Sequence, residues 1–342
     1  MGRRAAGGRA AARGGEAVAD LTAERRERVL AALVGAGAAG VSGEALAAEL
    51  GCSRAAVHRH VEALRREGLE VAGGAGGYRL DPGADPVVPM LVEPRLAPPL
   101  AGPVVWLAET GSTNDDAIER ARAGAPEGLV VGADRQRAGR GRRGRSWLAA
   151  PGHALLVSVL MRPQVPPVDA GLLPIVAAVG TAEALGPEAR IVWPNDVLIG
   201  GRKVAGILCE ISADQERVDW AVAGIGVNVR SAPDLDDARW SPGALADAGE
   251  PPRRADLLVD LLEALGRRYA EWVGEGPGAV LDAFAARDDL RGRPVVVSLA
   301  GEEVAGTSEG TDALGRLRLR TASGERLLGA GEVVRVGPAP SG

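Results

Sequence analysis

A chain of 342 residues exceeds one ordinary hydrophobic core and implies roughly two to three domains. Its formal net charge of -5 excludes a protein whose whole surface coats nucleic acid, while leaving room for local basic patches. The two distant cysteines, Cys52 and Cys209, fit a reducing, cytoplasmic compartment better than a disulfide framework, and no apolar run reads as a membrane span.

Residues 1–21 are rich in Gly, Ala and Arg, lack large apolar side chains and read as a disordered basic arm. Over residues 22–80, Thr22 is placed to cap a helix whose Val29, Leu30 and Leu33 share one face. Ser42 caps a second, shorter helix bearing Leu46 and Leu50. After the Gly51-Cys52 turn, Ser53 caps a third, with Val57, Val61 and Leu64 as its buried stripe and Gly68 as its stop. Residues 73–80 read as two short strands around a Gly-rich turn. Short helix, tight turn, longer helix and hairpin make a winged helix-turn-helix. On the third helix, Ser53, Arg54, His58, Arg59 and Arg65 are the candidate DNA contacts, since arginines there reach phosphates and base edges. A small helical domain with a solvated face is the alternative. His58 and His60 are expected at the surface, with no Cys/His cluster of zinc spacing around them.

Residues 81–103 carry Pro82, Pro86, Pro89, Pro94, Pro98, Pro99 and Pro103, a density that opposes regular structure and suits a semi-rigid linker. Residues 104–288 are expected to form the domain that holds the chemistry. Strands are expected near 104–108, 129–133, 154–160, 190–193, 203–211 and 220–227, and helices over 114–123, 168–185, 253–273 and 279–286. Strands outnumber helices and several are hairpin-linked, so the fold class is α+β with a mixed sheet. Residues 289–337 hold four or five short strands between Gly turns and are expected to form a small, SH3-like β-barrel.

Five segments of the catalytic domain carry chemistry. In the run from Gly139 to Trp147, glycines alternate with arginines: the backbone can approach an anion closely, and the guanidiniums offer forked donors. It lacks the ending of a Walker A loop. A nucleic-acid-binding or solvated segment is the alternative to a ligand-ordered loop. Ser112, Thr113 and Asn114 put hydroxyls and an amide where a helix begins, which plain capping also explains. After Trp193-Pro194, Asn195 and Asp196 sit at a strand's end; Asp196 is suited to hold a magnesium ion on phosphate oxygens, or both make an Asx turn. Lys203 opens an apolar strand and either points its ammonium at a carboxylate or α-phosphate or snorkels at an edge. Gly224-Ile225-Gly226-Val227-Asn228 is a glycine-punctuated strand that admits a flat ligand or marks a bulge.

In this order, Ser112-Thr113-Asn114, Gln136 before Gly139–Arg145, Trp193-Pro194-Asn195-Asp196, Lys203–Leu208 and Gly224–Asn228 resemble the biotin–protein ligases. The resemblance runs over nearly the whole chain from about Thr22. The front domain, with Ser42-Gly43-Glu44, Leu50-Gly51 and Ser53–Val57, looks like that of the bifunctional subclass, which also represses biotin synthesis genes. The resemblance implies that biotin and MgATP give biotinyl-5′-AMP and pyrophosphate, and that a lysine of a biotin carboxyl carrier protein then attacks the mixed anhydride. It assigns Lys203 and Arg142 as catalytic. Ser112, Thr113, Asn114, Gln136, Arg140, Gly141, Arg142 and Lys203 fall on the biotin side. Arg142, Arg145, Trp147, Asn195, Asp196 and Asn228 fall on the adenylate side, with Asp196 beside magnesium. It further implies an adenylate-bound homodimer on operator DNA and no membrane partner. The wing departs from the family in charge, with Arg79 its only basic residue, and the arm before Thr22 has no counterpart. A ligase without regulatory DNA binding, a lipoate–protein ligase and a DNA-binding sensor with an inactive ligand domain are the competing readings.

Overall fold

The computed structural model describes residues 6–74, 76–235, 239–299 and 301–337, with side chains of the first helix described from Leu21. The chain divides into two compact units, Met1–Pro94 and Arg95–Gly342.

In the first unit, α1 (Ala6–Ala36) precedes α2 (Gly43–Glu49) and α3 (Arg54–Arg66). Thr22 lies inside α1 rather than capping it, and most of the segment expected as an arm has helical backbone. Val29 and Leu33 of α1, Leu46 of α2 and Val57 and Val61 of α3 are fully buried and form one core. Both expected caps form: the Ser42 hydroxyl accepts from the Ala45 amide at 3.0 Å and that of Ser53 from Ala56 at 3.2 Å. The wing is an antiparallel pair, β1 (Val71–Gly74) and β2 (Gly77–Leu80). His60 corrects the sequence expectation: it is buried at 8% exposure, because α3 turns that position toward α1. Burial lowers its pKa, and Arg26, Arg25 and Arg59 push the same way.

The proline-rich segment carries structure where prolines were expected to oppose it. A single helical turn, α4 (Pro89–Val92), starts on Pro89, a position where a missing N–H costs nothing. Val87, Val88 and Val92 are buried, and the Met90 amide donates to Glu27 of α1 at 2.7 Å.

The second unit is built on a seven-stranded mixed sheet. In chain order its strands are β3 (Val104–Leu107), β4 (Val130–Ala133), β5 (Ala154–Met161), β6 (Arg190–Val192), β7 (Asp196–Ile199), β8 (Arg202–Ala213) and β9 (Val218–Asn228). The spatial order is β3-β4-β5-β9-β8-β7-β6, with only β3 and β4 parallel. Strand β7 stands where a turn is expected: Asp196, Val197 and Leu198 pair on both sides and Ile199 with β8 alone, and the β6–β7 hairpin begins with Val192 opposite Asp196. The helices are α5 (Thr113–Arg122), α6 (Leu173–Ala184), α7 (Arg254–Glu275) and α8 (Gly278–Ala285). By length and hydropathy 167–184 resembles a membrane span, yet 61% of it is buried, which is the behaviour of a core helix. Helix α6 packs on α7 with backbone nearly touching backbone: a Cβ on Gly180 would sit 2.7 Å from the Leu265 Cα.

The C-terminal part is a five-stranded antiparallel sheet of β10 (Pro294–Leu299), β11 (Glu302–Thr311), β12 (Leu317–Thr321), β13 (Gly324–Leu328) and β14 (Glu332–Val336). Its order is β13-β12-β11-β10-β14, so β13 and β14 are both edges among the described residues and no closed barrel is found. The indole of Trp193, in the β6–β7 turn, donates to the Gly315 carbonyl at 2.9 Å and ties the two sheets together. Asp288 lies in the connection, bridged to Ile191 of β6. Its Oδ1 accepts from the Leu290 amide at 2.9 Å, while its Oδ2 is buried without a partner among the described residues. Burial pushes this carboxyl up to about 6, against the pull of Arg291.

Two stability predictions follow from this packing. Gly180→Ala should destabilise the second unit by about 1–3 kcal/mol through overpacking, read as a lower denaturant midpoint. For Asp288, the raised folded-state pKa means that ionisation between pH 4 and 6 costs stability as pH rises. Asp288→Asn keeps the Leu290 contact and removes that cost. The variant should therefore exceed the parent by on the order of 2 kcal/mol at pH 8, the gap closing toward pH 4, in melting curves at both pH values.

Candidate functional site

The floor of the site is backbone. Gly206 on β8 faces Gly226 on β9, and Leu208 faces Gly224. A Cβ on Gly226 would lie 2.5 Å from the Trp147 indole, one on Gly206 2.8 Å from it, and one on Gly224 would overlap the Asn114 amide. The strand runs without a bulge through 224–228, and the flat group lying on it is the chain's own Trp147.

One wall is the start of α5. Ser112, Thr113 and Asn114 are buried, and the Ser112 hydroxyl makes no capping bond to the helix. Instead Gln136 Oε1 accepts from the Thr113 amide at 2.7 Å and from its hydroxyl at 3.1 Å. Ser158 of β5 donates to Asn114 Oδ1 at 2.6 Å, and Asn114 Nδ2 donates to Glu210 at 2.8 Å.

The Gly/Arg loop forms the roof. It closes on itself through Gly141 N to Arg145 O at 2.7 Å and Trp147 N to Gly139 O at 2.8 Å. Arg143, at φ 57°, is the non-glycine residue in left-handed conformation at its tip. Arg140 donates to Asp115 at 2.7 Å and to Glu210 at 2.8 Å, and Arg142 to Asn195 Oδ1 at 3.0 Å. Burial lowers the pKa of Arg142, with Asp196 acting to raise it.

The far wall is a string of alternating charges. Lys203 Nζ lies 2.8 Å from Asp196 Oδ1 and 5.6 Å from the Trp147 ring centroid. Arg239 pairs with the other oxygen of Asp196 and, at 3.1 Å, with Glu332 at the head of β14, which also pairs with Arg145. Burial lowers the pKa of Arg239 as well, opposed by Asp196. The cavity, open on one side, measures about 660 Å³, and every residue expected on the biotin or adenylate side lines it. Trp147 Nε1, Arg239 Nε, Trp240 Nε1 and Asn228 Oδ1 are buried there with no partner among the described residues: three donors and one acceptor that a polar ligand would satisfy.

The magnesium expectation for Asp196 does not fit. Both of its oxygens hold cationic side chains, and no group of three His, Cys, Asp or Glu that could bind a metal occurs among the described residues. Ser158, Glu210, Arg239, Trp240 and Glu332 were missed. Ser158 was hidden in an apolar strand, and Glu332 lies 93 residues from Arg239 and farther still from Arg145. Trp240, a large aromatic in a loop rich in Pro and Asp, was the one available signal. The expected DNA contacts lie in the first unit. Arg54, His58 and Arg59 are exposed, whereas Arg65 is bound to the Val71 carbonyl at 2.6 and 2.9 Å and to Glu62 at 2.5 Å, fastening α3 to the wing.

Residues 108–228 match the biotin/lipoate A/B protein ligase family, residues 25–79 an HTH domain and residues 291–336 the biotin protein ligase C-terminal domain. The bifunctional ligase/repressor BirA of Bacillus subtilis is 37% identical over 69% of this chain and 75% of its own length. The biotin–[acetyl-CoA-carboxylase] ligase of Paracoccus denitrificans is 37% identical over 66% of this chain and 98% of its own. BirA of Escherichia coli is 32% identical over 81% and 87%. Among solved structures, the Aquifex aeolicus biotin protein ligase in complex with biotin and ATP aligns with a TM-score of 0.58 at 25% identity, over 69% of this chain and 99% of that one. With the ligase fold, its C-terminal domain and a preceding helix-turn-helix all matched, this chain belongs to the biotin protein ligase family.

Proposed function

We propose that the cavity activates biotin with ATP to biotinyl-5′-AMP and passes the biotinyl group to a lysine of a biotin carboxyl carrier protein. The observation that carries this reading is the convergence of Arg142, Lys203 and Arg239 on one glycine-floored cavity whose other end offers Ser112, Thr113 and Gln136. Biotin's carboxylate and the α-phosphate of ATP are both anionic. They approach only where fixed positive charge offsets their repulsion, and the charge grows on the phosphate as the bond forms. Lys203 and Arg142 are the groups for that role. Asn228 Oδ1, buried and without a partner among the described residues, is the acceptor an adenine amino group needs, and Trp147 offers it a flat face. Magnesium enters as the companion of ATP's phosphates rather than as a resident ion. The Gly/Arg roof, with Arg140, Gly141 and Arg145, excludes water from the anhydride.

The first unit supports a second role, biotin-responsive repression from an operator as an adenylate-bound homodimer. Exposed Arg54 and Arg59 at the α3 face, with Ser53 and His58 beside them, are its candidate DNA contacts. The C-terminal sheet is read as an open relative of the SH3-like barrels.

The deciding experiment is incubation of the purified chain with biotin, MgATP and a carrier domain. Stable biotin on the carrier's lysine, with none formed when lipoate replaces biotin, is expected; no biotin-dependent AMP release and no label would overturn the reading. Lys203→Ala should lower biotin-dependent ATP–pyrophosphate exchange by about 10²–10³-fold with an unchanged circular dichroism spectrum. Near-normal exchange would remove Lys203 from the chemistry. Arg142→Gly, which deletes the contact to Asn195, should release the adenylate and label lysines of a bystander protein such as albumin. Labelling that stays confined to the carrier would count against Arg142 as the retaining group.

A further inference from the structure

Of the 40 lysine and arginine residues in the chain, Lys203 is the only lysine. The other 39 are arginines, whose guanidinium stays charged at working pH and has no free electron pair on nitrogen to offer an acyl group. An acyl-adenylate is attacked by amines. A chain that makes one and keeps it enclosed is therefore exposed to it longer than any other protein.

The single lysine is itself held out of reaction. Lys203 Nζ is 2.8 Å from Asp196 Oδ1, and Asp196 is only 2% exposed, with Arg239 on its other oxygen. An ion-paired ammonium donates hydrogen bonds and has no lone pair. Before it could attack a carbonyl it would have to shed a proton and give up a charge-assisted bond. The thiol in the same strand, Cys209, does not take its place: burial pushes it up to about 12, leaving it almost wholly unionised at neutral pH.

We propose that this chain is a non-acceptor of its own intermediate: arginine stands in place of lysine everywhere but at one position, and Asp196 is the positioning residue that keeps that one side-chain amine, Lys203, from attacking the acyl-adenylate beside it. The proposal rests on the ligase reading above. In the step that is prevented, Nζ loses one proton to water, attacks the biotinyl carbonyl carbon as the free amine, and gives up a second proton to water as the adduct collapses. The C–N bond forms, the bond from that carbon to the phosphate oxygen breaks, and AMP leaves with its electron pair. Lys203 would become a neutral amide, and the cavity would lose the cation it needs for the next turnover.

The test uses the full chain with preformed biotinyl-5′-AMP, without ATP or acceptor, followed by peptide mapping of biotin on lysine side chains. The parent should carry almost none. Arg143→Lys places an amine on an exposed residue at the cavity mouth and should become labelled at that position. Asp196→Asn should label Lys203 at least about tenfold faster than the parent, the effect of losing one charge-assisted bond, and Asp196→Glu should restore resistance. Parent protein labelled on Lys203 as fast as Asp196→Asn would overturn the proposal. So would an Arg143→Lys variant that stays unlabelled, or an Asp196→Asn variant no more reactive than the parent while Arg143→Lys is labelled. Because the adenylate is supplied ready-made, a failure of the ligase reading shows itself separately, as absence of biotin-dependent AMP release from ATP.

Discussion

Asp196 is a carboxylate 2% exposed to solvent, and the rest of the site is arranged around what that requires. An isolated charge at such depth is costly unless it is paired and hydrogen-bonded. Lys203 and Arg239 pair with it, Arg239 reaches on to Glu332, and Glu332 reaches Arg145 of the Gly/Arg loop. The string alternates in sign from the sheet, across the C-terminal β14, to the roof. An anion entering the cavity competes with Asp196 and Glu332 for the same cations, so the site is charged for its substrates while remaining neutralised without them.

Much of this was legible in the sequence. Residues whose roles depend on local pattern were placed well: the capping serines Ser42 and Ser53, the stripe Val57, Val61 and Leu64, and the strands from β3 to β9 other than β7. The motif residues from Ser112 to Asn228 do line one cavity. What escaped depends on partners far along the chain. Glu332 looks like an ordinary polar strand residue until β14 is set beside Arg145 and Arg239. Asp196 carries the chemistry of a metal ligand in isolation, and only the approach of two cations gives it another employment. Strand β7 is too short for alternation to show, and closure of the last sheet is a matter of which edges meet, which no periodicity reports.

In the first unit the same distinction holds at smaller scale. Arg65 has the residue type and helix position of a phosphate contact, yet its guanidinium grips the Val71 carbonyl. It braces the wing against α3 and leaves Arg54 and Arg59 as the exposed arginines among the expected DNA contacts on that helix. His60 shows the converse, a polar residue folded inward where α3 meets α1.

The glycines at 206, 224 and 226 leave much of the cavity floor to bare peptide units, held by the β8–β9 hydrogen-bond ladder. Those three positions have no rotamers to change and no side chain to swing aside. Whatever adjustment a visiting molecule demands falls on the other side of the cavity, on the indole of Trp147 and the arginine-bearing segment above it. Rigidity below concentrates compliance above, in the segment that also carries the charge.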